Sequence, residues 1–592
     1  MTQSRAHNRQ SRLHEPAPIL TGAQAVIASL EAEGVELVFG YPGGSVLAIY
    51  DALYASPITH ITARHEQGAV HEADGYARAT GKVGVVLVTS GPGASNTVTG
   101  IATAYMDSVP LVIVTGQVPT TMIGTDAFQE SDIMGMSMPV VKHSFLVKSA
   151  ALLPETFRAA FHIARTGRPG PVLIDIPSDV AAQTLEFIYP SHIDLPSYKP
   201  TYKGNARQIK QAVATLSGAK RPVILAGGGI VSSGARAELH DLAHALNAPV
   251  VTTLMGKGAL PESDPLCFGF AGMHGSKFAN QALCEADVLL ACGTRFSDRV
   301  TGNPECFAKD ARIIHIDIDP AEIGKVIPID VPIVGDVRIV LAALLERLEK
   351  EEIALDTSAW LEHLTQLKAR YPFERGTQAL EGGLSPELVC AKLSLRLDPL
   401  SSIVTTEVGQ HQMWAAQLIE RDVPRSFITS GGLGTMGFGF PAAIGAALGR
   451  PDKQIVCIAG DGSFQMCEQE MATAIANNAQ VKVLVFDNRS LGMVRQQQQL
   501  FCGGRYIATK LDAVPDFVKL ADAYGWHAAR VEDPDDLDKA LDDLLACKGP
   551  ALLDVMVARD HNVYPMVVPG ACLDEALGVF DAALTVDGEG EA

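Results

Sequence analysis

The strongest constraint on the fold is an alternation that occurs three times along the 592 residues. Short runs of β-branched and apolar residues alternate with amphipathic stretches of about ten to fifteen residues, which is typical of parallel sheets covered by helices. A chain of this length exceeds what one hydrophobic core usually organises. The sequence therefore predicts an α/β protein with three doubly wound parallel-sheet domains.

Breaks in the alternation set the expected domain boundaries. The proline-bearing segment Tyr189–Tyr202 is typical of an extended linker, and the second block loses its pattern in a charged helix expected at Ala342–Ile353. The first eighteen residues are polar and lack the apolar core of a signal peptide, so a disordered tail is expected there. The expected division is a tail at 1–18, domains at 19–190, 203–350 and 380–570, and a second tail at 571–592.

Charge and cysteine usage exclude several classes of protein. The formal net charge is −20 and no cluster of Lys and Arg offsets it, so neither nucleic acid nor an anionic membrane is expected as a partner. The longest apolar runs have the length of strands and are too short to cross a bilayer. The ten cysteines include no CxxC pair, which indicates reduced, buried thiols in a reducing compartment and a cytoplasmic protein.

Oxygen ligands follow two neighbouring strands of the third block. The run Ile455–Ala459 ends in Gly-Asp-Gly-Ser, a helix is expected over Phe464–Asn478, and the next strand, Val481–Phe486, ends shortly before Asn488. Because the carboxyl ends of adjacent parallel strands lie side by side, Asp461 and Asn488 are expected to converge. Such oxygen ligands suit Mg²⁺ shared with a diphosphate, and the flanking glycines let the backbone approach phosphate oxygens. A lone Asp-Gly is usually only a turn, but the whole arrangement is far more specific.

A carboxylate in the first block is the candidate acid–base group. Glu66 lies in the string RHEQGA at the expected start of a helix, and the loop Thr89–Asn96 follows it. A glutamate in the first turn is usually only a favourable partner of the helix dipole. A buried carboxylate can also hydrogen-bond the ring of a cofactor and favour one tautomer.

Long strings spread over most of the chain resemble one enzyme family. The Gly-Asp-Gly-Ser arrangement and RHEQGA resemble the cofactor signatures of thiamine-diphosphate-dependent enzymes. From about Leu20 to Gly570 the chain is most similar to the catalytic large subunits of acetolactate synthases, through YPGG at 41–44, TGQVP at 115–119, IGTDAFQE at 123–130, VGQHQMW at 408–414 and the glycine-rich segment 430–441. The resemblance implies a pyrimidine-binding first domain, an FAD-binding Rossmann-like central domain and a diphosphate-binding third domain.

The same resemblance implies a reaction and its partners. The enzyme would decarboxylate pyruvate and condense the hydroxyethyl unit with a second pyruvate or with 2-ketobutyrate, giving 2-acetolactate or 2-aceto-2-hydroxybutyrate. This is the first common step of branched-chain amino acid (valine, leucine, isoleucine) biosynthesis. The implied cofactors are thiamine diphosphate, Mg²⁺ and FAD, the last without net redox chemistry. The implied assembly is a homodimer or homotetramer in which one subunit supplies Glu66 and another the metal site, together with a small regulatory subunit.

The residue roles implied by the family fall into four groups. The catalytic residues would be Glu66, Gln117, Lys142 and Arg299, and the metal ligands Asp461, Asn488 and the carbonyl of Ser490. Thiamine diphosphate would contact Glu66, Pro92, Asn96, Gln129, Val408, Gly409, Gln410, His411, Gly434, Met436, Gly460, Asp461, Gly462, Ser463, Asn488, Leu491, Gly492, Met493 and Val494. FAD would contact Arg168, Gly227, Gly228, Gly229, Thr253, Leu254, Met255, Gly272, Met273, His274, Gly293, Thr294, Arg295, Asp298, Arg299, Asp317, Ile318, Asp336, Val337, Gly431 and Gly432. The keto acids would contact Gly44, Phe128, Gln497 and Arg299.

Three positions depart from the family pattern, and one assignment is ambiguous. Asp487 replaces the first of two asparagines, which leaves the ligand asparagine in place. Gln497 replaces a common tryptophan, so discrimination in favour of 2-ketobutyrate should be weak, and Ser178 replaces a frequent lysine with an open effect. The guanidinium of Arg299 suits the carboxylate of a second keto acid, but a surface arginine paired with Asp298 is the alternative.

Other functions stay open at this point. A pyruvate oxidase-like flavoenzyme uses similar domains with a flavin that accepts electrons. A simple decarboxylase would need no FAD segment, and glyoxylate carboligases carry an apolar residue in the place of Glu66. A non-catalytic homologue would be expected to have lost Glu66 or Asp461, and both are present.

Overall fold

Three six-stranded parallel sheets, each with helices packed on it, form the framework of the protein. The computed structural model describes residues 17–373 and 379–583. Every residue of the strands Leu111–Gln117 and Val481–Asp487 is buried, as expected for strands covered on both faces. The predicted α/β class with three parallel sheets is thus confirmed. In the described ranges, no helix combines the length and apolarity that a membrane span requires.

The first domain carries eight strands and eight α-helices. The strands are β1 (Ile19–Thr21), β2 (Leu37–Tyr41), β3 (Thr59–Thr62), β4 (Gly84–Val88), β5 (Leu111–Gln117), β6 (His143–Leu146), β7 (Pro171–Pro177) and β8 (Thr184–Glu186). The helices are α1 (Gly22–Ala32), α2 (Leu47–Leu53), α3 (Glu66–Thr80), α4 (Pro92–Ser95), α5 (Val98–Met106), α6 (Ile133–Ser137), α7 (Leu153–Arg165) and α8 (Ser178–Ala182). The sheet order is β3-β2-β4-β5-β7-β6, and β1 pairs antiparallel with β8.

The central domain carries six strands and seven α-helices. The strands are β9 (Pro222–Ala226), β10 (Val250–Thr252), β11 (Cys267–Phe270), β12 (Val288–Cys292), β13 (Arg312–Asp317) and β14 (Val331–Val334), in the order β11-β10-β9-β12-β13-β14. The helices are α9 (Ala206–Leu216), α10 (Gly228–Ser233), α11 (Arg236–Leu246), α12 (Lys277–Glu285), α13 (Asp298–Thr301), α14 (Val337–Lys350) and α15 (Ser358–Arg370). This is the strand order of a dinucleotide-binding Rossmann sheet.

The third domain repeats the order of the first. A two-stranded hairpin, β15 (Ala379–Leu380) and β16 (Gly383–Leu384), precedes the strands β17 (Ser402–Thr406), β18 (Phe427–Thr429), β19 (Gln454–Gly460), β20 (Val481–Asp487), β21 (His527–Val531) and β22 (Ala551–Met556). The helices are α16 (Pro386–Ser394), α17 (Gln410–Leu418), α18 (Gly439–Gly449), α19 (Asp461–Phe464), α20 (Met471–Ala476), α21 (Gly492–Phe501), α22 (Phe517–Ala523) and α23 (Pro534–Ala546). The sheet order is β18-β17-β19-β20-β22-β21, which matches the first sheet strand for strand.

Each sheet reverses its direction of winding beside its first strand. The chain places its second strand on one side of the first strand and later crosses to the other side, so the reversals lie between β2 and β4, between β9 and β12, and between β17 and β19. Loops that leave the carboxyl ends of such strand pairs diverge and open a crevice, which is where doubly wound sheets bind ligands. The fold therefore offers three candidate crevices, one in each domain.

Helices α3 and α18 join the first and third domains without intervening side chains. A methyl group on Gly75 would overlap the backbone of Ala442, and one on Gly445 would lie 2.7 Å from the carbonyl carbon of Glu72. The two helices therefore pack backbone against backbone, and α3 begins at Glu66, the candidate acid–base residue. The position of Glu66 is thus set by this contact between the domains.

The prediction of a single helix over Phe464–Asn478 is wrong, because the structure interrupts this segment. Helix α19 ends at Phe464, a 3-10 turn follows at Glu468–Glu470, and α20 begins at Met471. The reason is long-range, because the carboxylate of Glu470 accepts hydrogen bonds of 2.9 and 3.1 Å from the backbone N–H of Arg64 in the first domain.

The expectation that all cysteines are reduced and buried is also wrong. Cys306 and Cys572 form a disulfide, and Cys502 is an exposed free thiol. Five of the free thiols, including Cys457 in the third sheet, are buried as expected. The disulfide ties the segment after the third domain to the central domain.

The two expected tails differ from the described structure. Residues 1–16 and 584–592 lie outside the described residues, but the carbonyl of Pro18 accepts a hydrogen bond of 2.9 Å from the N–H of Phe187. Residues 571–583 pack on the central domain, where Leu573 is buried in the core that contains Phe296. The linker at 189–202 contains no helix or strand, in agreement with its proline-rich sequence.

Candidate functional site

The crevice of the third sheet brings together the two strand ends that carry the expected metal ligands. The register pairs Gly460 with Phe486, so Asp461 and Asp487 stand at the same edge, directly after or at the end of their strands. Asp461 Oδ1 accepts the N–H of Gly462 at 2.7 Å. Its Oδ2 and that of Asp487 are buried and have no hydrogen-bond partner among the described residues. Burial, together with the neighbouring Asp487 carboxylate, raises the pKa of Asp461 well above its usual range, as expected for two buried carboxylates that face each other.

The other expected ligands lie in the turn after β20. Asn488 Oδ1 accepts the N–H of Ser490 at 3.0 Å, and the Ser490 hydroxyl donates to the carbonyl of Thr509 at 3.0 Å. These contacts fix the turn and leave the Ser490 carbonyl available as a ligand. The donor set of carboxylate, amide oxygen and carbonyl is that preferred by Mg²⁺, so the residues present fit this ion.

Buried polar atoms without partners also surround the expected diphosphate position. His411 Nε2 and Gln410 Oε1 are buried and unpartnered among the described residues, and burial lowers the pKa of His411 to about 3, which keeps the ring neutral. A methyl group on Gly460 would lie 2.8 Å from His411 Nδ1, and one on Gly492 would lie 2.9 Å from Asn488 Nδ2. The glycines therefore leave space that any other residue would fill, as a phosphate-binding turn requires.

Glu407, which the sequence reasoning missed, shapes the neighbouring pocket wall. It directly follows β17 and accepts the N–H groups of Gly437 at 2.7 Å and Phe440 at 3.0 Å. Burial raises its pKa to about 7. These hydrogen bonds hold the turn that contains Gly434 and Met436. Val408 and Gly409 directly follow Glu407 after the end of β17. The remaining residues expected here are on α19 and at the start of α21: Gly462, Ser463, Leu491, Met493 and Val494.

The crevice of the first sheet collects the expected pyrimidine-side residues. Glu66 is the first residue of α3, and its Oε2 accepts a hydrogen bond of 2.9 Å from Asn96 Nδ2. Pro92 begins α4 in the same loop, and the backbone of Gln129, at φ +60°, lies against Gly91. No hydrogen bond or ion pair among the described residues links Glu66 to Asp461 or Asn488. Within one chain, the acid–base candidate and the metal site therefore lie on two separate crevices.

The two other expected catalytic residues have structural contacts. Gln117, at the end of β5, donates to Asp175 Oδ2 at 3.0 Å and to the carbonyl of Ser131 at 2.9 Å. The ammonium of Lys142 donates to the carbonyls of Ile163 and Thr166 and so caps the end of α7. Burial lowers the pKa of Lys142 to about 7. Because carbonyl oxygens already surround its ammonium, the catalytic role of Lys142 stays a prediction that this geometry does not favour.

The expected substrate residues are on exposed surface in the single chain. Phe128 is 88% exposed. Gln497 is exposed on α21 of the third domain, and Gly44 is exposed in the turn after β2, at the crevice of the first domain. The side chain of Arg299 is 58% exposed and lies 3.8 Å from Asp298, a distance at which an exposed ion pair contributes little. In the single chain, Arg299 is thus a surface arginine beside Asp298, as the alternative interpretation expected. This weak pair leaves the guanidinium able to bind the carboxylate of a substrate.

Glycines line the crevice of the central sheet at its reversal. A methyl group on Gly229 would lie 2.5 Å from the Cα of Gly293, and Gly227 N–H donates to the Cys292 carbonyl at 2.9 Å. Most other residues expected to bind FAD also follow the carboxyl ends of strands in this sheet or belong to the helices that come next: Gly228, Thr253, Leu254, Gly272, Met273, His274, Thr294, Arg295, Asp317, Ile318, Asp336 and Val337. Asp336 is engaged as the N-cap of α14, accepting the N–H of Ile339 at 3.1 Å.

All three domains meet at the same crevice. Asp107 of the first domain accepts the N–H groups of Gly431 at 3.1 Å and Gly432 at 2.7 Å from the third. A methyl group on Gly431 would strike Met255 of the central domain. Arg168 reaches from the first domain to Glu322 at 2.8 Å. The sequence reasoning missed Asp107, because its partners are distant in the sequence.

Comparison with known proteins identifies the family. Residues 20–136, 209–344 and 407–555 match the models of the N-terminal TPP binding domain, the central domain and the C-terminal TPP binding domain of thiamine pyrophosphate enzymes. Probable acetolactate synthase large subunits of Methanococcus aeolicus and Methanocaldococcus jannaschii are 49% and 50% identical, each match covering 94% of both chains. The acetolactate synthase large subunit of Corynebacterium glutamicum is 49% identical over 93% of this chain and 89% of its own. The chain therefore belongs to the thiamine pyrophosphate enzyme family and, within it, to the acetolactate synthase large subunits.

Proposed function

We propose that the chain decarboxylates pyruvate and condenses the two-carbon unit with a second pyruvate or with 2-ketobutyrate. The observation that carries the proposal is a group of buried atoms at one edge of the third sheet that have no hydrogen-bond partner within residues 17–373 and 379–583: Asp461 Oδ2, Gln410 Oε1 and His411 Nε2. Buried polar atoms nearly always have partners, so this group calls for a polar ligand and a cation. The names of the relatives support the reaction.

Mg²⁺ and the diphosphate would share this edge. Asp461, Asn488 and the Ser490 carbonyl would hold the ion, and the space beside Gly460 and Gly492 would admit phosphate oxygens. When bound, thiamine diphosphate supplies the electron sink that decarboxylation of a 2-keto acid needs. The protein positions the keto acids and excludes water from the crevice.

Glu66 would act as the acid–base element that hydrogen-bonds the cofactor ring. Asn96 holds one carboxylate oxygen at 2.9 Å and leaves the other free to bind the ring. Because no hydrogen bond or ion pair among the described residues links Glu66 to the metal site, we infer that two chains are needed, with Glu66 of one facing Asp461 of the other. The active form would then be a homodimer or homotetramer.

Exposed apolar side chains around the first crevice support this assembly. Phe128 is 88% exposed and Met138 67%, and Met466 beside the third crevice is 55% exposed. Large apolar side chains grouped around a site usually mark a surface that another protein covers. Several relatives are named large subunits, which supports a small regulatory subunit as a further partner, and a cytoplasmic location stays a prediction.

FAD would occupy the crevice where the three domains meet. The close-packed glycines Gly229 and Gly293 and the guanidinium of Arg168 fit a nucleotide with a diphosphate. A second nearby cation, Arg295, has its pKa lowered by burial and by Arg168, as expected for an anion-binding pair without its anion. We propose that the flavin is bound without net redox chemistry.

The deciding assay measures acetolactate formed from pyruvate by the purified chain. We expect the product only when Mg²⁺, thiamine diphosphate and FAD are all present, and its absence under complete conditions would refute the proposal. Mixing the loaded enzyme with pyruvate under anaerobic conditions separates the oxidase alternative, because an oxidase would bleach its flavin stoichiometrically.

Replacing one carboxylate tests the acid–base role. Glu66→Gln should fold and bind thiamine diphosphate normally, but turnover should fall by about 10² or more, because general acid–base catalysis contributes roughly that much. Glu186→Gln, an exposed glutamate on β8, is the matched control and should be fully active. Equal activity of both variants would exclude Glu66 from the mechanism.

A further inference from the structure

A cluster of two histidines and one aspartate lies on the surface of the central domain. His240 and His244 occupy neighbouring turns of α11, and their rings lie 4.4 Å apart between centroids. Asp264 reaches them from the loop before β11, with its Oδ2 lying 3.0 Å from His244 Nε2 and 3.8 Å from His240 Nε2. None of these residues takes part in the crevices described above.

The spacing of the three atoms fits a tetrahedral metal site. An ion at about 2.0–2.1 Å from nitrogen and oxygen ligands places those ligands about 3.3 Å apart. The two measured separations, 3.0 and 3.8 Å, bracket this value, and one ligand atom from each residue lies within 4.8 Å of the others.

Outer contacts already orient the ligands. Asp264 Oδ1 accepts the N–H of Leu266 at 2.9 Å, which turns Oδ2 towards the histidines, and the Asp264 side chain is only 8% exposed. Asp241 accepts from His240 Nδ1 at 3.1 Å, which leaves the lone pair of Nε2 facing the cluster. A carboxylate behind a ligating imidazole is a common support of metal-bound histidine.

We propose that His240, His244 and Asp264 bind a divalent transition-metal ion of the zinc class. Imidazole nitrogens select such ions over Mg²⁺, which prefers oxygen ligands. Three protein ligands leave one position open, and His240 and Asp264 line a surface cavity of about 420 Å³ together with Arg236, Ala237, Pro261 and Ser263. Water or a small anion from this cavity completes the coordination.

The ion would link α11 to the loop before β11, and that loop also contacts the third domain. Next to Asp264, the hydroxyl of Ser263 donates to Asp422 of the third domain at 2.9 Å, and Glu262 accepts the N–H of Arg421 at 2.8 Å. Binding therefore stabilises the contact between the central and third domains in addition to the local structure.

Zinc titration of the tag-free holoenzyme tests the site. The protein is saturated with Mg²⁺ and titrated with Zn²⁺ against a chromophoric chelator, and Co²⁺ is titrated in parallel for its visible spectrum. The wild type should bind one more tight ion per chain than His244→Asn and show a four-coordinate Co²⁺ band that the variant lacks. Asp264→Asn keeps an oxygen for Leu266 but loses the charge, and its affinity should fall at least about tenfold.

His192→Asn is the matched control, because His192 is an exposed histidine outside the cluster. It should bind Zn²⁺ like the wild type. The side chains of His240 and His244 are 47% and 42% exposed, so their replacement removes little packing and one hydrogen bond to Asp264, and Tm without Zn²⁺ should change only slightly. Equal zinc stoichiometry and affinity in the wild type and a His240→Asn/His244→Asn double variant would overturn the proposal.

Discussion

Replacing Gly445 by alanine tests how the first and third domains are held together. At an ordinary helix position, glycine to alanine stabilises a protein by about 0.4–1 kcal/mol. At Gly445 the new methyl group would lie 2.7 Å from the Glu72 carbonyl carbon and 2.9 Å from the Tyr76 nitrogen. The methyl group would also overlap the carbonyl oxygen of Glu72. Carbon contacts are favourable at about 3.5–4.0 Å, so α3 and α18 must move apart by at least about 1 Å.

The separation should cost more than the helix gains. Overpacking typically destabilises by about 1–3 kcal/mol, and backbone atoms cannot rotate away as side chains do. We expect a net loss of about 1–2 kcal/mol, which corresponds to a fall in Tm of about 2–8 °C. Because α3 begins at Glu66, a 1 Å shift should also lower turnover by about 10²-fold.

Thermal unfolding and the acetolactate assay, run on the same preparations, measure both effects. Gly218→Ala is the matched control, since its methyl group would meet only one atom, the Thr215 carbonyl oxygen at 3.9 Å. The reasoning is refuted if Gly445→Ala raises Tm and keeps full activity, because the helices would then not be in backbone contact.

Four further substitutions follow from the site. Glu407→Gln should flatten the pH dependence of Tm. Folding raises the pKa of the Glu407 carboxyl group from 4.5 to about 7, so this group stabilises the folded state below pH 4.5 and loses that contribution as the pH rises through about 7. Asp107→Asn, measured by the flavin-to-protein absorbance ratio, should lose most bound FAD, because the amide keeps an acceptor for only one of the two glycine N–H groups and loses the charge that pairs with Arg78. Gln497→Trp should raise the ratio of 2-aceto-2-hydroxybutyrate to acetolactate by about tenfold, as an added apolar contact allows. Gln496→Ala should instead lower Tm, because its buried amide bonds Gln410 and Val563.

Two of these variants have a matched comparison variant, and the other two are compared with the wild type. Glu186→Gln, at an exposed position on β8, is the comparison for the pH slope of Tm. Asp51→Asn, at an exposed position on α2, should keep its flavin. A pH slope, flavin content or product ratio that does not differ between the site variant and its comparison would remove the role assigned to that residue.

The sequence predicted the strands well because both faces of each sheet are buried. A strand covered on both sides is a continuous apolar run, and the strand expected at Val481–Phe486 is observed at Val481–Asp487. The convergence of Asp461 with the end of β20 also followed from the pattern, since parallel register alone places neighbouring strand ends together. Such features depend on short stretches of sequence and on one rule of topology.

Features that depend on distant partners could not be predicted. Glu470 interrupts an expected helix because it binds the backbone of Arg64, 406 positions away. Asp107 and Glu407 are buried carboxylates whose partners lie in other loops, so nothing near them in the sequence distinguishes them from surface acids. The Gln496–Gln499 run shows the same limit, because Gln496 is buried and bonded whereas Gln497 is exposed.

The return of the chain onto the central domain affects the order in which the protein is completed during synthesis. Val567 and Leu573 follow the last strand of the third sheet, yet they fill the core beneath Phe296 and Val300 in the central domain. When the ribosome has finished the strands of the central sheet, it has therefore not yet made two residues that complete the core of that domain. The half-built domain exposes an apolar hollow while the third domain emerges, and this is the interval in which chaperones would be needed most.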